Sequence, residues 1–298
     1  MPNNEEVISQ VLLTAKKAGL SKIVPIILSE GGNLIIHLSP HPIVARVATV
    51  ISGENPHKAD QLLTREMRVA KHLQNSGVPV LLPTEEIDAG PHCSGGLWMT
   101  FWRYITFTNP QLLTPSDAVH LVNILSTAMK DLPYELPVLG VWEKVCQSAE
   151  RLEDHSNPMM KSIVTEFHRV DDQIRMIQQG SLVPSHGDAH PHNLLPSTDG
   201  WLWMDFEDAS LMPPYWDLAS MIANPVLFGG FQEPTYRYIL EQTNPVTDSE
   251  DFEFTLTAQI LMSTIGNLDL ALQGHGDLDF ATRQLDLLEC YLEETKRT

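Results

Sequence analysis

Positive charge is scarce in this sequence. Its 298 residues include 19 lysines and arginines against 38 aspartates and glutamates, which gives a formal net charge of -19. Nucleic acids and anionic membrane surfaces are polyanions, so this balance argues against either as a partner. A small cationic molecule is a better match, although many proteins carry excess acid for solubility alone.

Features of exported and membrane proteins are also missing. No apolar run approaches the length of a membrane-spanning helix, and the first six residues are neither basic nor apolar, so we expect no signal peptide. The three cysteines, Cys93, Cys146 and Cys290, are scattered and lack the spacing of a metal site. We therefore expect a cytoplasmic protein without disulfides, and we interpret the three thiols as packing residues.

The glycine-rich loop of P-loop enzymes is another absent feature, because the pattern G-x-x-x-x-G-K-[ST] occurs nowhere in the chain. Internal repeats and low-complexity segments are absent as well. Hydrophobic residues make up 43% of the sequence. Together with the length, this content predicts a globular protein with room for two lobes.

Two short segments concentrate acids, an amide and histidines between apolar runs. They are residues 186–195, HGDAHPHNLL, and residues 203–208, WMDFED. Phosphoryl transfer from a nucleotide needs a carboxylate that orients and deprotonates the attacking hydroxyl, and further oxygen ligands that hold Mg²⁺. Asp188, Asn193 and Asp205 can supply these parts, so the segments predict a phosphoryl-transfer site.

The spacing of these residues supports the assignment. Asp188 and Asn193 share one loop, because Pro191 prevents a regular helix there. Asp205 follows a predicted strand over residues 201–204, which is entered through a turn. A loop and a hairpin can face one cleft, and carboxylate and amide oxygens suit a magnesium ion.

The same residues resemble the aminoglycoside phosphotransferase and choline kinase superfamily, whose fold is similar to that of protein kinases. The hallmark H-x-D-x-x-x-x-N runs from His186 to Asn193, Asp205 closes the next hydrophobic strand, and residues 216–219 have the sequence WDLA. The resemblance implies that Asp217, within this last motif, braces the catalytic loop.

The resemblance also implies a fold and an activity. The fold is α+β and two-lobed, with a small antiparallel-sheet lobe for the nucleotide over residues 1–105 and a larger, mostly helical catalytic and acceptor-binding lobe over residues 106–298. The activity is transfer of the γ-phosphoryl group of ATP, or GTP, to a hydroxyl of an amino alcohol, an aminoglycoside or a related metabolite. Asp188 is then the catalytic base, and Asn193 and Asp205 are the ligands of Mg²⁺.

The amino-terminal third has the pattern of a nucleotide-binding sheet. Strands are predicted over residues 25–28, 33–38 and 42–50. Gly31 and Gly32 lie in the first turn, where backbone amides could approach phosphate oxygens closely. Two adjacent glycines are also typical of a plain hairpin turn.

Members of the superfamily carry a lysine on the third strand that pairs with phosphates and with a helix glutamate. The best match here is Arg46, with Glu66 as its partner. Arginine stays charged and can grip phosphate through two donors, but it is larger and planar. The alternative is an exposed pair, which contributes only about 0 to 1 kcal/mol to stability.

A strand over residues 97–105 matches the hinge that ends the nucleotide lobe in the superfamily. The resemblance implies that backbone groups near Phe101 and Arg103 bond to the adenine edge while aromatic side chains wall the pocket. Aromatic residues in a strand are also typical of core packing. The lobe boundary is predicted at residues 105–109, where polar residues and Pro110 interrupt the apolar pattern.

The rest of the chain is predicted to be mainly helical. Two helices are predicted before the lobe boundary, over residues 4–17 and 58–74. All other predicted helices follow the boundary. The first of them is capped by Thr114 and runs to residue 130, and the others cover residues 142–152, 159–179, 217–223, 234–241, 251–272 and 278–296.

Three other functions stay open. Residues His186, Asp188, His190 and His192 could form a zinc hydrolase site, but alternate positions on an extended loop point to opposite faces, and we interpret His186 as structural. A catalytically silent nucleotide-binding regulator is suggested by Arg46 and the short glycine turn. A protein kinase would have lysine where His190 stands and an A-P-E segment after Asp205, and this chain has neither.

Four further acids are candidates for substrate contacts. Glu207 and Asp208 could touch a second metal ion or a substrate ammonium group, or simply extend a negative cleft. Asp269 and Asp277 lie near helix breaks and could bind an acceptor amine, or could be surface acids near helix ends.

Overall fold

The chain divides into two units that are each built from two separate stretches of sequence. The first comprises Met1–Gln111 and Leu194–Glu207, and the second comprises Leu112–Asn193 and Asp208–Thr298. The computed structural model describes residues 3–106, 112–153, 155, 157–241 and 249–295. The predicted boundary at 105–109 therefore falls partly on residues 107–109, which lie outside the described residues.

The first unit contains a five-stranded antiparallel sheet. Its strands are β1 (Val24–Glu30), β2 (Leu34–Ser39), β3 (Ile43–Val47), β4 (His92–Ser94) and β5 (Leu97–Arg103), in the spatial order β1-β2-β3-β5-β4. In β2 the apolar residues Leu34, Ile36 and Leu38 are buried and alternate with less buried neighbours, the period that places every second side chain on the core face. The three strands predicted in this region and the hinge strand are thus present.

Three helices accompany this sheet, namely α1 (Asn4–Lys17), α2 (Thr49–Glu54) and α3 (Pro56–Asn75). Asn3 and Glu6 form a reciprocal capping box at the start of α1, which satisfies backbone N–H groups that the helix leaves without partners. The strand predicted over residues 42–50 is wrong for its last residues. The β-prone pair Val50 and Ile51 lies in α2, because tertiary context overrides local strand propensity.

The first unit also includes a hairpin formed by β7 (Leu194–Ser197) and β8 (Gly200–Trp203). This is the hairpin predicted before Asp205. Trp203 ends β8 fully buried, and its backbone bonds to Pro79 and Leu81 hold the hairpin against the segment that follows α3. Asp205 is thereby carried by a fixed element of the first unit.

The second unit is mainly helical. Its helices are α4 (Pro115–Met129), α5 (Gly140–Leu152), α6 (Pro158–Met176), α7 (Trp216–Gly229), α8 (Pro234–Glu241), α9 (Ser249–Leu272) and α10 (Leu278–Thr295), and β6 (Val183–Ser185) pairs with β9 (Ser210–Met212). The predicted cap of α4 is confirmed, since the Asp117 N–H donates to Thr114 Oγ1 at 3.1 Å.

An aromatic cluster joins three helices of this unit. The ring of Trp142 on α5 stacks on Phe167 of α6 with centroids 4.7 Å apart and meets Trp216 of α7 edge-on at 6.0 Å. Helix α7 continues to Gly229 although the sequence predicted its end at Ala223. Pro225 removes one backbone donor, but the buried residues after it keep the helix packed.

The cysteine prediction is wrong in part. Cys93 and Cys290 are exposed and Cys146 is partly buried, so at most one of the three thiols packs in a core. All three are free thiols. Within the described parts of the chain, no helix combines the length and the apolar character that crossing a membrane requires.

Candidate functional site

The loop from His186 to Asn193 in the second unit is braced from below by Asp217. The backbone N–H groups of His186 and Gly187 donate to the two carboxylate oxygens of Asp217, at 3.0 Å and 3.2 Å. Trp216 adds a third bond, from its indole Nε1 to the Gly187 carbonyl at 2.9 Å. The bracing role that the resemblance implied for Asp217 is therefore confirmed, and Trp216 is a contributor that the sequence did not reveal.

Burial sets the protonation of this bracing acid. Asp217 is buried at the start of α7, and this burial raises the pKa of its carboxyl to about 6, although the two backbone N–H groups lower it. The negative charge of Asp188 also raises it.

Gly187 is required by the packing of the loop. Its φ of 92° lies in the region that residues with a Cβ rarely adopt, and a Cβ added there would lie 2.1 Å from the carbonyl oxygen of Asp208. The backbone of Asp208 thus lies directly against the loop at Gly187, the residue that precedes Asp188. The sequence shows a glycine at this position, but it does not indicate that the Asp208 carbonyl packs against it.

Asp188 carries the carboxylate that was predicted to be catalytic. Its Oδ2 lies 3.4 Å from Nε2 of His190, and its backbone carbonyl accepts a bond from Asn193 Nδ2 at 2.7 Å. Burial acts to raise the pKa of Asp188, but the hydrogen bond and charge of His190, together with the charges of His186 and Lys144, outweigh it and lower the pKa below its ordinary value. Asp188 is therefore ionised at neutral pH.

Lys144 is a cation of this region that sequence reasoning missed. It lies on α5 and its Nζ pairs with Asp208 Oδ1. Asp208 therefore has an ion-pair partner in this structure, and the contacts with metal or substrate considered for it stay a prediction. Nothing in the local sequence of α5 distinguishes Lys144, because the pairing joins residues 64 positions apart.

The first unit brings three carboxylates to one arginine. Arg46 on β3 is almost fully buried, and its Nη1 donates to Glu66 on α3. Its Nη2 donates to Asp205 Oδ1 at 2.8 Å and to Glu207 Oε2 at 2.7 Å. The predicted partnership of Arg46 with Glu66 is confirmed, and the alternative of an exposed surface pair is wrong.

The pKa values in this group are set by burial and by the presence of three carboxylates around one guanidinium. Burial acts to lower the pKa of Arg46, but Asp205, Glu66 and Glu207 outweigh it and raise the pKa, so the guanidinium stays charged. Burial raises the pKa of Glu66, and the charges of Asp205 and Glu207 raise it further, against the opposing effect of Arg46.

Asp205 has an unusual backbone conformation. It follows β8 closely with a φ of 65°, which is left-handed and rare for residues other than glycine. Such a conformation costs on the order of 1–3 kcal/mol and persists only where the surroundings determine it, often at functional sites. The carboxylate of Asp205 is more than one-third exposed, so it is accessible as well as bonded to Arg46.

The residues predicted to contact the nucleotide base and phosphates lie in the first unit. Gly31 and Gly32 form the turn between β1 and β2, and a Cβ on either would meet nothing within 4 Å. The Phe101 side chain is buried in the core, and its backbone N–H and carbonyl bond to Ala89 and Thr84. The Arg103 N–H donates to Leu82. The nucleotide contacts of these four residues stay a prediction.

The three histidines of the loop are either buried or packed against one another. His186 is fully buried, as its structural interpretation requires, and the ring of His190 meets that of His192 edge-on at 5.7 Å. Among the described residues, no group of three or more histidines, cysteines and acids is arranged to hold a metal ion.

The two acids proposed for acceptor binding are engaged within the second unit. Asp269 on α9 is buried and accepts bonds from Arg151 of α5 at 2.6 Å to 3.1 Å. Asp277 caps α10 by accepting from the Phe280 N–H at 3.0 Å. The contact of Asp277, which is exposed, therefore matches the alternative of a surface acid near a helix end, whereas Asp269 is a buried ion-pair partner rather than a surface acid.

Comparison with known proteins identifies the family of the chain. A model of the phosphotransferase enzyme family, the APH family, matches residues 46–251. No curated protein sequence matches the chain at a significant level.

Three solved structures illustrate the similarity of fold. The GDP complex of an aminoglycoside 2'-phosphotransferase-IIIa is 19% identical, covers 97% of this chain and 98% of its own, and has a TM-score of 0.61. An amicoumacin kinase in complex with AMP-PNP, Ca²⁺ and Ami is 15% identical, covers 97% and 96%, and has a TM-score of 0.66. A choline/ethanolamine kinase family protein from Mesorhizobium loti is 15% identical, covers 95% and 94%, and has a TM-score of 0.59.

Proposed function

Because the chain belongs to the phosphotransferase enzyme family, we propose that it is a small-molecule kinase that transfers the γ-phosphoryl group of ATP or GTP to an acceptor hydroxyl. The observation that carries the proposal is the second unit's braced loop, in which an ionised Asp188 is held between Asp217 below and Asn193 beside it. This is the arrangement that orients a hydroxyl for in-line attack.

Asp188 acts on the acceptor. Its carboxylate accepts a hydrogen bond from the attacking hydroxyl and then takes the proton as the oxygen–phosphorus bond forms and the bond from the γ-phosphorus to the bridging oxygen breaks. The nucleoside diphosphate leaves with that oxygen. The lowered pKa of Asp188 keeps the carboxylate ionised and able to orient the hydroxyl, which suits a loose transition state that needs little proton transfer early on.

Asn193 and Asp205 are the residues that would hold Mg²⁺. The donor set fits a hard cation, because a carboxylate and an amide oxygen are the ligands it prefers. The hydrogen bond from Asn193 Nδ2 to the Asp188 carbonyl uses the amide nitrogen, so the amide oxygen is the atom of Asn193 that would bind the cation. When bound, Mg²⁺ would neutralise charge on the phosphates.

The nucleotide is proposed to bind through the first unit. Arg46 and Glu66 position it, Gly31 and Gly32 approach the phosphates, and the segment containing Phe101 and Arg103 contacts the base. The acceptor is proposed to be a small, cationic, hydroxyl-bearing compound such as an amino alcohol or an aminoglycoside. The net charge of -19 and the acceptor compounds in similar structures support this class.

A silent nucleotide-binding regulator is the second candidate. The observation that favours it is Arg46, which stands in place of the lysine of the superfamily and has both terminal nitrogens bonded to carboxylates. Such a protein would bind nucleotide without turnover.

A panel assay separates the two candidates. Mg²⁺-dependent release of ADP from ATP, and of GDP from GTP, is measured with amino alcohols, aminoglycosides and sugars as acceptors. Acceptor-stimulated release identifies a kinase and its substrate class. Nucleotide binding without stimulated release by any acceptor in the panel or in a metabolite extract supports the regulator.

A further inference from the structure

Glu207 shares one nitrogen of Arg46 with Asp205. The Nη2 atom carries two N–H groups, and it donates to Asp205 Oδ1 at 2.8 Å and to Glu207 Oε2 at 2.7 Å, while Nη1 is bonded to Glu66. An arginine can hold all three carboxylates because its donors form a rigid fork. A lysine would offer one nitrogen to the same three acids.

The position of Glu207 is fixed independently of Arg46. Arg65 on α3 donates through Nη2 to the backbone carbonyl of Glu207, and the Glu207 side chain is only about one-quarter exposed. Its carboxylate therefore reaches Arg46 from an anchored backbone. This role differs from those left open by the sequence, which were a contact with a metal ion, a contact with substrate, or extension of a negative cleft.

The shared nitrogen matters once a cation approaches Asp205. A divalent cation draws on the same carboxylate that Arg46 uses, so the Arg46–Asp205 bond weakens as the cation is bound. Without Glu207, Arg46 would then be held at Nη1 alone. With Glu207 present, Nη2 keeps a carboxylate at 2.7 Å and the guanidinium keeps its place.

We propose that Glu207 is a positioning residue that acts through Arg46, by holding its second guanidinium nitrogen while Asp205 engages a divalent cation. The proposal rests on the metal-binding role of Asp205 in the proposed function. Glu207 contacts neither the nucleotide nor the acceptor in this account.

The test compares Glu207→Gln with Glu86→Gln, a control that removes the same charge from an exposed glutamate of the first unit. The first reading, or measured quantity, is the melting temperature in metal-free buffer. We expect Glu207→Gln to lower it by about 2–4 °C, because a hydrogen bond to a charged group is lost in a protein of this size. The other is the Mg²⁺ concentration that half-saturates stabilisation by ATP, which rises about tenfold. The control changes neither reading.

A double-mutant cycle shows whether Glu207 acts through Arg46. In Arg46→Met, adding Glu207→Gln changes neither reading further if the proposal is right. Arg46→Gln, which removes the positive charge and the forked donors but keeps a polar side chain, takes the place of Arg46→Met where the latter does not fold. A tenfold shift that persists when Arg46 has been replaced shows that Glu207 acts on the cation directly and overturns the proposal.

Two failures can be told apart. If Mg²⁺ has no effect on the wild-type protein with ATP, the proposed function fails and this inference with it. If the wild type responds to Mg²⁺ and Glu207→Gln behaves like the control, the inference alone is overturned.

Discussion

Replacing Asp217 by asparagine should change the pH dependence of stability in a calculable way. Asp217 is buried, and its pKa is raised to about 6 from an ordinary value of 3.8. The folded protein therefore binds this proton more tightly than the unfolded chain does. Stability contributed by the protonated group is fully present below about pH 4 and is lost as the pH rises through 6, because ionisation then costs more in the folded state.

The size of the effect follows from the pKa difference. At about 1.36 kcal/mol per pKa unit, ionisation of Asp217 lowers the unfolding free energy by about 3 kcal/mol in full, and by about 2–2.5 kcal/mol between pH 4 and pH 7. The asparagine variant has no such ionisation. It loses one of the two backbone bonds, because its NH₂ group faces a backbone N–H, and this costs about 1–3 kcal/mol at every pH.

The assay is urea unfolding of the wild type and Asp217→Asn at half-unit intervals from pH 4 to pH 7, in metal-free buffer. Subtracting the two curves cancels the carboxyl groups that titrate in both proteins. We expect the wild-type advantage to shrink by about 2–2.5 kcal/mol as the pH rises from 4 to 7. A difference that is constant with pH would refute the reasoning that burial dominates the ionisation of Asp217.

Two further substitutions test the packing of the second unit. Gly187→Ala places a Cβ 2.1 Å from the Asp208 carbonyl at a φ of 92°, so we expect a loss of about 2–4 kcal/mol in urea unfolding, whereas Gly180→Ala, in open space, should be within about 0.5 kcal/mol of the wild type. Asp269→Asn weakens the buried contact with Arg151 and should lower the unfolding free energy by about 1–3 kcal/mol while the KM for the acceptor stays unchanged. A raised KM with normal stability would return Asp269 to the acceptor site.

The sequence predicted the loop and hairpin that carry the proposed site residues because the features that form them are local. Asp188, Asn193 and the strand before Asp205 lie within 20 residues, and the turn, proline and apolar run that place them can be seen directly in the sequence. The main strands and most helices were also predicted, since their apolar periodicity is regular. The short helix α2 was missed because its β-branched residues favour a strand locally.

Contacts that depend on distant pairing could not be predicted. Lys144 meets Asp208 across 64 positions, and Glu207 meets Arg46 across 161. Both acids were visible as charges, but a charge alone does not indicate its partner. The sequence therefore left open whether they contact a metal ion, contact substrate or simply extend a negative cleft, whereas the structure pairs each with a cationic side chain.

The most direct test of the central claim is the turnover of Asp188→Asn beside the wild type, with nucleotide affinity measured by calorimetry on the same samples. The account predicts that nucleotide binding is retained while acceptor-stimulated release of the nucleoside diphosphate falls by about 10² or more, the scale expected for loss of a general base. Unchanged turnover in Asp188→Asn would contradict the account, because Asp188 would then have no part in the reaction.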